Sequence, residues 1–260
     1  MDGNSNALGQ LLELFGPLVL CMVWLQSVEA GLQGLITRHF GWRGNLWTGW
    51  LGAPIHEYSH ALMAKLFGLH VVEIAPFLPD KKSGRLGYVV LLYDRGNLWQ
   101  KIGHFFVCFA PLIGGAFALW LVSLIFYPGS AQLVGQPDGE GLGLLSFWRA
   151  VGRLSDIVNM EHLGEIKFWL FSYLVLSIGS HLAPSSSDYR SCRKSLGVVL
   201  LAILAGVTAF VMMGGLPPTV FALVYSLLLV VQTNLILACL LCGVALMMIY
   251  VIIQLKIWLS

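Results

Sequence analysis

The distribution of apolar residues predicts a chain built mainly from membrane-spanning helices. Six apolar runs are each long enough, at about 18 residues or more, to cross the hydrocarbon core of a bilayer. They cover residues 11–37, 45–69, 101–127, 166–183, 195–215 and 217–258. The last run is too long for one upright helix. Because no glycine or proline marks a turn near Gln232 to Asn234, we expect one long kinked helix rather than a tight pair.

A different pattern separates the second run from the third. HVVEIAPF and RLGYVVLLY are rich in β-branched and aromatic residues and have the length of strands, and LPDKKSG between them has the composition of a turn. This pattern predicts a small β-hairpin over residues 70–93 at the membrane surface. An edge strand of such a hairpin can pair with an extended peptide through backbone hydrogen bonds.

The composition supports the membrane class. Hydrophobic residues make up 57% of the chain and charged residues only 11%, whereas about a quarter of the residues in a soluble domain are charged. The predicted fold class is therefore an α-helical polytopic membrane protein with about six transmembrane helices and a small β-hairpin. No long polar block indicates a second domain, so we expect residues 1–260 to form one membrane-embedded domain in contact with the lipid bilayer. A net charge of +2, without a basic stretch that contains aromatics, gives no indication of nucleic acid as a partner.

The second run carries the residues with the clearest chemistry. In APIHEYSHALMAKL, His56, Glu57 and His60 form the pattern H-E-x-x-H. Residues four apart lie on one face of a helix, so both imidazoles can bind one tetrahedral zinc ion. Glu57 lies beside them, where its carboxylate can take a proton from the attacking water and pass it to a leaving amine. The pattern predicts a hydrolytic site, and the competing interpretation is a structural or relic cluster.

The end of the fourth run contains a second group of polar residues. Pro184 and three serines break the helix, with His181 before the break and Asp188 after it. Non-helical backbone at membrane depth is tolerated where it lines a cavity. Glu13 and Glu29 in the first run are instead expected to lie at an interface or against other helices.

Together these features resemble the site-2 protease family of intramembrane zinc metalloproteases. In that family an H-E-x-x-H helix is followed by a β-hairpin, a helix with a Gly-Pro-like element, and a helix with an Asn-x-x-Pro…Asp-Gly element that supplies the third ligand. The resemblance covers a core of residues 45–194, with residues 11–37 and 195–258 as accessory helices. It implies an intramembrane protease with one zinc ion per chain.

Some positions depart from the family pattern. Gly114 and His181 stand where the family has asparagines that hold the substrate peptide, and Ala110-Pro111-Leu112 matches the Gly-Pro element only in part. Asp188 follows Pro184 by four residues, where the family usually has five. The irregular segment 185–187 is expected to absorb this difference.

The third zinc ligand has more than one candidate. Asp188 is preferred because it is the only carboxylate in the break after the fourth run, and a third donor leaves one position open for water. His181 is the competitor, since imidazole is also a good zinc ligand. Glu161 and Glu165 are available as well, although neither lies in a helix break.

The predicted function is hydrolysis of a peptide bond in a membrane-spanning or membrane-proximal substrate, with Glu57 as general base. His181 is the candidate for polarising the scissile carbonyl or steadying the oxyanion, and a structural histidine is the alternative. A non-proteolytic membrane scaffold that keeps the fold and binds a partner through the hairpin is the second hypothesis. A transporter is a third, because a broken helix and buried ionisable groups also suit an ion path.

The basic residues predict an orientation. With six spans, one side carries Lys81, Lys82, Arg85, Arg95, Lys101, Arg190, Arg193 and Lys194, and the other carries Arg38, Arg43, Arg149, Arg153 and Lys167. The richer side is expected to be cytoplasmic. The sequence thus predicts a multi-pass protein of the inner or plasma membrane whose active site lies towards the cytoplasm.

Overall fold

The computed structural model is mostly helical and describes residues 2–127, 148–149, 151–152, 155, 162–193, 195–213 and 217–258. In chain order the elements are α1 (Asp2–Leu66), β1 (His70–Ala75), β2 (Tyr88–Leu92), α2 (Leu98–Phe126), α3 (Ile166–Gly179), α4 (Ser186–Cys192), α5 (Leu196–Met212) and α6 (Pro218–Trp258). A short 3₁₀ turn, His162–Gly164, precedes α3. The last apolar run therefore forms one helix.

Among the residues that the structure describes, three helical segments are long and apolar enough to cross a membrane: Val19–Leu66, Leu98–Phe126 and Thr219–Val251. α3 and α5 are also apolar, but at 14 and 17 residues they are shorter than the roughly 20 residues that span a bilayer. The chain therefore has helices suited to a membrane, and the expected six crossings stay a prediction.

α1 folds back on itself at Gly41, whose φ of 62° and ψ of −155° are not helical. The side chains of Thr37 and Asn45 are hydrogen bonded at 3.1 Å, although residues eight apart on a straight helix would be about 12 Å apart. Positive φ is a conformation that glycine adopts without steric cost. α1 therefore consists of two arms, the N-terminal arm (residues 2–40) and the motif arm (residues 42–66), which correspond to the first two apolar runs.

The predicted hairpin is confirmed. β1 and β2 are antiparallel, with His70 opposite Leu92 and Ala75 opposite Tyr88, and a register shift between Val71 and Glu73. Among the described residues β2 pairs with no strand other than β1. In the described part of the chain, its second edge therefore has no strand partner.

Small residues let the motif arm pack closely between α2 and the end of α3. A Cβ atom at Gly52 would overlap the carbonyl oxygen of Ser177, and one at Gly114 would overlap the Ser59 hydroxyl. Close approach through glycine is typical of helix interfaces in membranes. The packing fixes the motif arm against the two segments that complete the site.

One hydrophobic core joins both ends of the chain. It contains Leu25 of the N-terminal arm, Leu119 of α2, Phe171 of α3 and Leu235 of α6, each at most 2% exposed. The regions expected to be accessory helices thus contribute to the same core as the motif arm.

Candidate metal centre

Three side chains converge on one point beside the motif arm. The Nε2 atoms of His56 and His60 are 3.0 Å apart. Oδ2 of Asp188 lies 3.5 Å from Nε2 of His56, and Oδ1 of Asp188 lies 3.5 Å from Nε2 of His60. All three potential ligand atoms lie within 4.8 Å of one another. One helical turn brings the two histidines together, and the short helix α4 brings the carboxylate. The structure therefore groups the three residues that the sequence indicated as ligands.

Backbone carbonyls set the orientation of both imidazole rings. Nδ1 of His56 lies 2.7 Å from the carbonyl oxygen of His181, and Nδ1 of His60 lies 2.7 Å from that of Val107. A carbonyl oxygen can only accept, so Nδ1 carries the hydrogen in both rings. Nε2 of each neutral ring therefore directs a lone pair at the other ligand atoms, which is the arrangement that metal-binding histidines adopt.

The lone pairs and the carboxylate of this arrangement favour a cation at its centre. Two nitrogen lone pairs and a carboxylate face one another, and no hydrogen lies between the neutral rings. A metal ion bound to all three, or an added proton, removes the repulsion. Two imidazoles and one carboxylate also fill three positions of a tetrahedral site and leave the fourth for water or substrate. The donor set fits a divalent metal ion.

A reciprocal cap positions Asp188 at the start of α4. The Asp188 N–H donates to Ser185 Oγ at 3.3 Å, and the Ser185 N–H donates to Asp188 Oδ2 at 2.7 Å. This capping box satisfies two backbone donors that a helix start leaves open. The segment after Pro184 is therefore a helix start and not the irregular stretch expected from the sequence. The first turn of that helix directs the carboxylate at the histidines.

The environment of Asp188 keeps its carboxyl charged. Burial acts to raise the pKa of this group, but interaction with the imidazoles of His56 and His60 in their protonated form, together with a hydrogen bond to Ser185, outweighs burial and holds the pKa well below its usual range. An ionised carboxylate at this position is what binding of a cation requires.

Glu57 lies beside the ligands and is not one of them. It lines a cavity of about 650 Å³ together with His56, His60 and Asp188. The start of β2 approaches it closely, because a Cβ atom at Gly87 would lie 2.9 Å from Cγ of Glu57. The Glu57 side chain thus packs against the start of β2 and lines the cavity that contains the ligands, as general acid-base chemistry at this site would need.

His181 contacts the cluster through its backbone. Its carbonyl oxygen accepts the hydrogen bond from His56, while its imidazole Nδ1 lies 3.2 Å from the Ser177 carbonyl oxygen and its Nε2 lies 3.4 Å from Nε2 of Gln33. The ring also lines the cavity. Its expected role in polarising a substrate carbonyl stays a prediction.

The glutamates considered as alternative ligands are less well placed. Glu165 is exposed and immediately precedes α3, at the end of that helix opposite to His181. The 14 residues of α3 span about 21 Å at 1.5 Å per residue, so Glu165 is too far from the cluster. Glu161 lies outside the described residues.

The N-terminal arm contributes two polar residues that the sequence analysis did not assign to the site. Glu29 accepts a hydrogen bond from the Ala183 N–H at 2.7 Å, and Gln33 donates to the Ser180 carbonyl oxygen at 2.8 Å. Their spacing of four residues in an apolar run is a signal of one polar helix face. Its partner could not be found without knowing that the arm folds back at Gly41.

Comparison with known proteins identifies no relative of this chain. No protein-family model, no curated protein and no solved structure matches the chain. The resemblance to site-2 proteases therefore depends on the motifs and their spacing alone.

Proposed function

We propose that the protein is an integral membrane zinc metalloprotease that hydrolyses a peptide bond in a membrane-spanning or membrane-proximal substrate. One observation carries the proposal: His56, His60 and Asp188 direct three ligand atoms at one point inside a cavity. Two imidazole nitrogens and one carboxylate oxygen, with a fourth position left open, favour zinc, because catalytic zinc sites keep three protein ligands.

The roles follow from the geometry of the side chains. His56, His60 and Asp188 would hold one zinc ion per chain, which when bound lowers the pKa of water and polarises carbonyl groups. Glu57 would accept the proton of the attacking water and return it to the leaving amine, so that the peptide bond is replaced by a carboxylic acid and an amine. The His181 and Val107 carbonyls would keep both imidazoles in the binding orientation.

The hairpin is the candidate surface for the substrate. Tyr88, Val89 and Leu91 of β2 line the same cavity as the ligands, and the second edge of β2 pairs with no other strand of the described residues. An extended peptide that pairs with this edge would run past the cluster with its carbonyl groups near Glu57. The proposed location is a multi-pass arrangement in an inner or plasma membrane, with the basic hairpin side towards the cytoplasm.

A non-proteolytic scaffold is the second candidate, and one observation favours it. Gly114 has no side chain and packs against Ser59, and the His181 ring is occupied by Ser177 and Gln33. Neither of the two positions where site-2 proteases have asparagine thus offers an amide to a peptide.

Zinc content and peptide cleavage, measured on the purified full-length protein, test the proposal. Wild type is expected to hold one zinc ion and cleave, and His56→Ala to lose both. Glu57→Gln is expected to keep zinc and lose at least about a hundredfold in rate, because an amide cannot accept the proton. His39→Ala, which removes an exposed histidine of the N-terminal arm, is the matched control.

Each outcome separates the candidates. A wild-type protein without zinc contradicts the proposal, whereas one that holds zinc without cleaving substrates favours the scaffold. Cleavage by Glu57→Gln at the wild-type rate would remove the assigned general base.

A further inference from the structure

We infer that the N-terminal arm of α1 is part of the metal centre, with Glu29 and Gln33 as positioning residues that keep His56 oriented for metal binding. The inference rests on the proposed function, because it assumes that the cluster of His56, His60 and Asp188 holds zinc. It assigns a role in the site to a helix that the motifs alone would leave outside it.

The first step concerns the backbone after α3. This helix ends at Gly179, and the chain then runs without regular structure to the cap at Ser185. The Ser180 carbonyl and the Ala183 N–H lie in this break, where neither belongs to a regular helix. A buried backbone group without a hydrogen-bond partner destabilises the folded state, so both groups need partners from elsewhere in the protein.

The N-terminal arm supplies both partners from one face. Gln33 Nε2 donates to the Ser180 carbonyl at 2.8 Å, and Glu29 Oε2 accepts from the Ala183 N–H at 2.7 Å. Residues 29 and 33 are four apart, so their side chains project from the same side of the helix. The arm therefore holds the break at two points, one on each side of His181.

The held segment carries the carbonyl that orients a ligand. His181 lies between the two contacts, and its carbonyl oxygen accepts the hydrogen bond from Nδ1 of His56 at 2.7 Å. If residues 180–183 shifted, this carbonyl would move and the His56 ring would be free to rotate or to change its tautomer. Loss of such an outer partner typically weakens metal affinity 10–100-fold.

The role is one of positioning and not of metal ligation. Glu29 and Gln33 line the same cavity, but among the described residues only His56, His60 and Asp188 bring ligand atoms within 4.8 Å of one another.

The experiment measures zinc affinity by competition with a chelator, on the full-length protein in detergent. Glu29→Leu and Gln33→Leu are each expected to weaken affinity 10–100-fold. Glu29→Gln is expected to stay within about threefold of wild type, because its amide oxygen can accept the same hydrogen bond. Ser27→Leu is the control, since the exposed Ser27 hydroxyl donates to the Val23 carbonyl oxygen of its own helix.

A second measurement distinguishes positioning from general stability. The melting temperature of each metal-free variant reports the stability of the fold. If Glu29 had a merely structural role, Glu29→Leu would lower the melting temperature but would show no specific loss of zinc affinity that Glu29→Gln restores. If Glu29→Leu fails to fold, Glu29→Asp keeps the carboxyl group but shortens its reach, and is expected to give a smaller loss of zinc affinity.

The results separate this inference from the proposed function. If wild type holds zinc and both Glu29→Leu and Gln33→Leu bind zinc with unchanged affinity, the positioning role is overturned and the proposed function stands. If Glu29→Leu does not fold, unchanged zinc affinity in Glu29→Asp has the same meaning. Wild type that binds no zinc overturns both.

Discussion

Asp188 and His181 lie on either side of Pro184, and they relate to the ligand cluster in different ways. Asp188 presents its side chain to both histidines, whereas His181 presents only its carbonyl oxygen. A substitution that removes the His181 ring leaves that carbonyl in the chain. The two residues therefore differ in what their loss should do to metal binding.

Asp188→Ala is expected to abolish stoichiometric zinc binding and cleavage together, because two neutral imidazoles remain as the only ligands. His181→Ala is expected to keep zinc and lose mainly rate. Elemental analysis of the purified variants, combined with a cleavage assay, checks both. A metal-loaded Asp188→Ala and an empty His181→Ala would instead indicate a three-histidine site.

The part of the site that the sequence predicts is the part that helix geometry fixes locally. His56 and His60 are four residues apart, so any helix brings them together. Asp188 was identified as the carboxylate in a helix break, but its orientation depends on the cap with Ser185 and on packing against the motif arm. Glu29 and Gln33 were not assigned, since their partners come from a segment about 150 residues away in the sequence.

Among the elements, the hairpin is the one whose exposed surface suggests a function. β-branched and aromatic runs around a turn sequence were sufficient to predict it, because strand pairing over a short turn is local. The turn within α1 was harder to predict. The first apolar run ends at residue 37 and the second begins at residue 45, and between them the chain reverses at the single residue Gly41.

Proline substitutions in β2 test its second edge. The N–H groups of neighbouring strand residues point to opposite edges of the strand. One of the two substitutions, Val89→Pro and Val90→Pro, therefore removes a hydrogen bond to β1, and the other removes a donor on the second edge of β2. The second-edge variant is expected to keep zinc and lose substrate cleavage at least tenfold. Zinc content, melting temperature and cleavage of both variants give the comparison, with Val89→Thr and Val90→Thr as controls. Parallel loss of zinc and cleavage in both variants would indicate a folding role for the strand.

For the whole molecule, the cluster links segments that are far apart in the chain. The motif arm and α4 supply the ligands, while α2 and the break after α3 supply the carbonyls that orient them. A ligand that binds only the folded state stabilises it by RT ln(1 + [L]/Kd). A metal ion at this position should therefore stabilise the packing of all four segments.

Zinc at a hundred times its Kd is expected to add about 2.7 kcal/mol to the free energy of unfolding, and a chelator to remove this gain. Thermal unfolding in detergent, with zinc and with chelator, measures the shift in melting temperature. The difference should disappear in Asp188→Ala. An equal melting temperature for wild type in both conditions would show that the folded state does not bind the metal.

The spread of the ligands along the chain also has a consequence for biosynthesis. His56 and His60 leave the ribosome early, whereas Asp188 follows only after the hairpin and α2 have been made. On the proposed function, a nascent chain cannot assemble a complete zinc site until most of it has entered the membrane. The enzyme would thus remain inactive throughout its own insertion, and neighbouring nascent proteins would not be exposed to a partly folded protease.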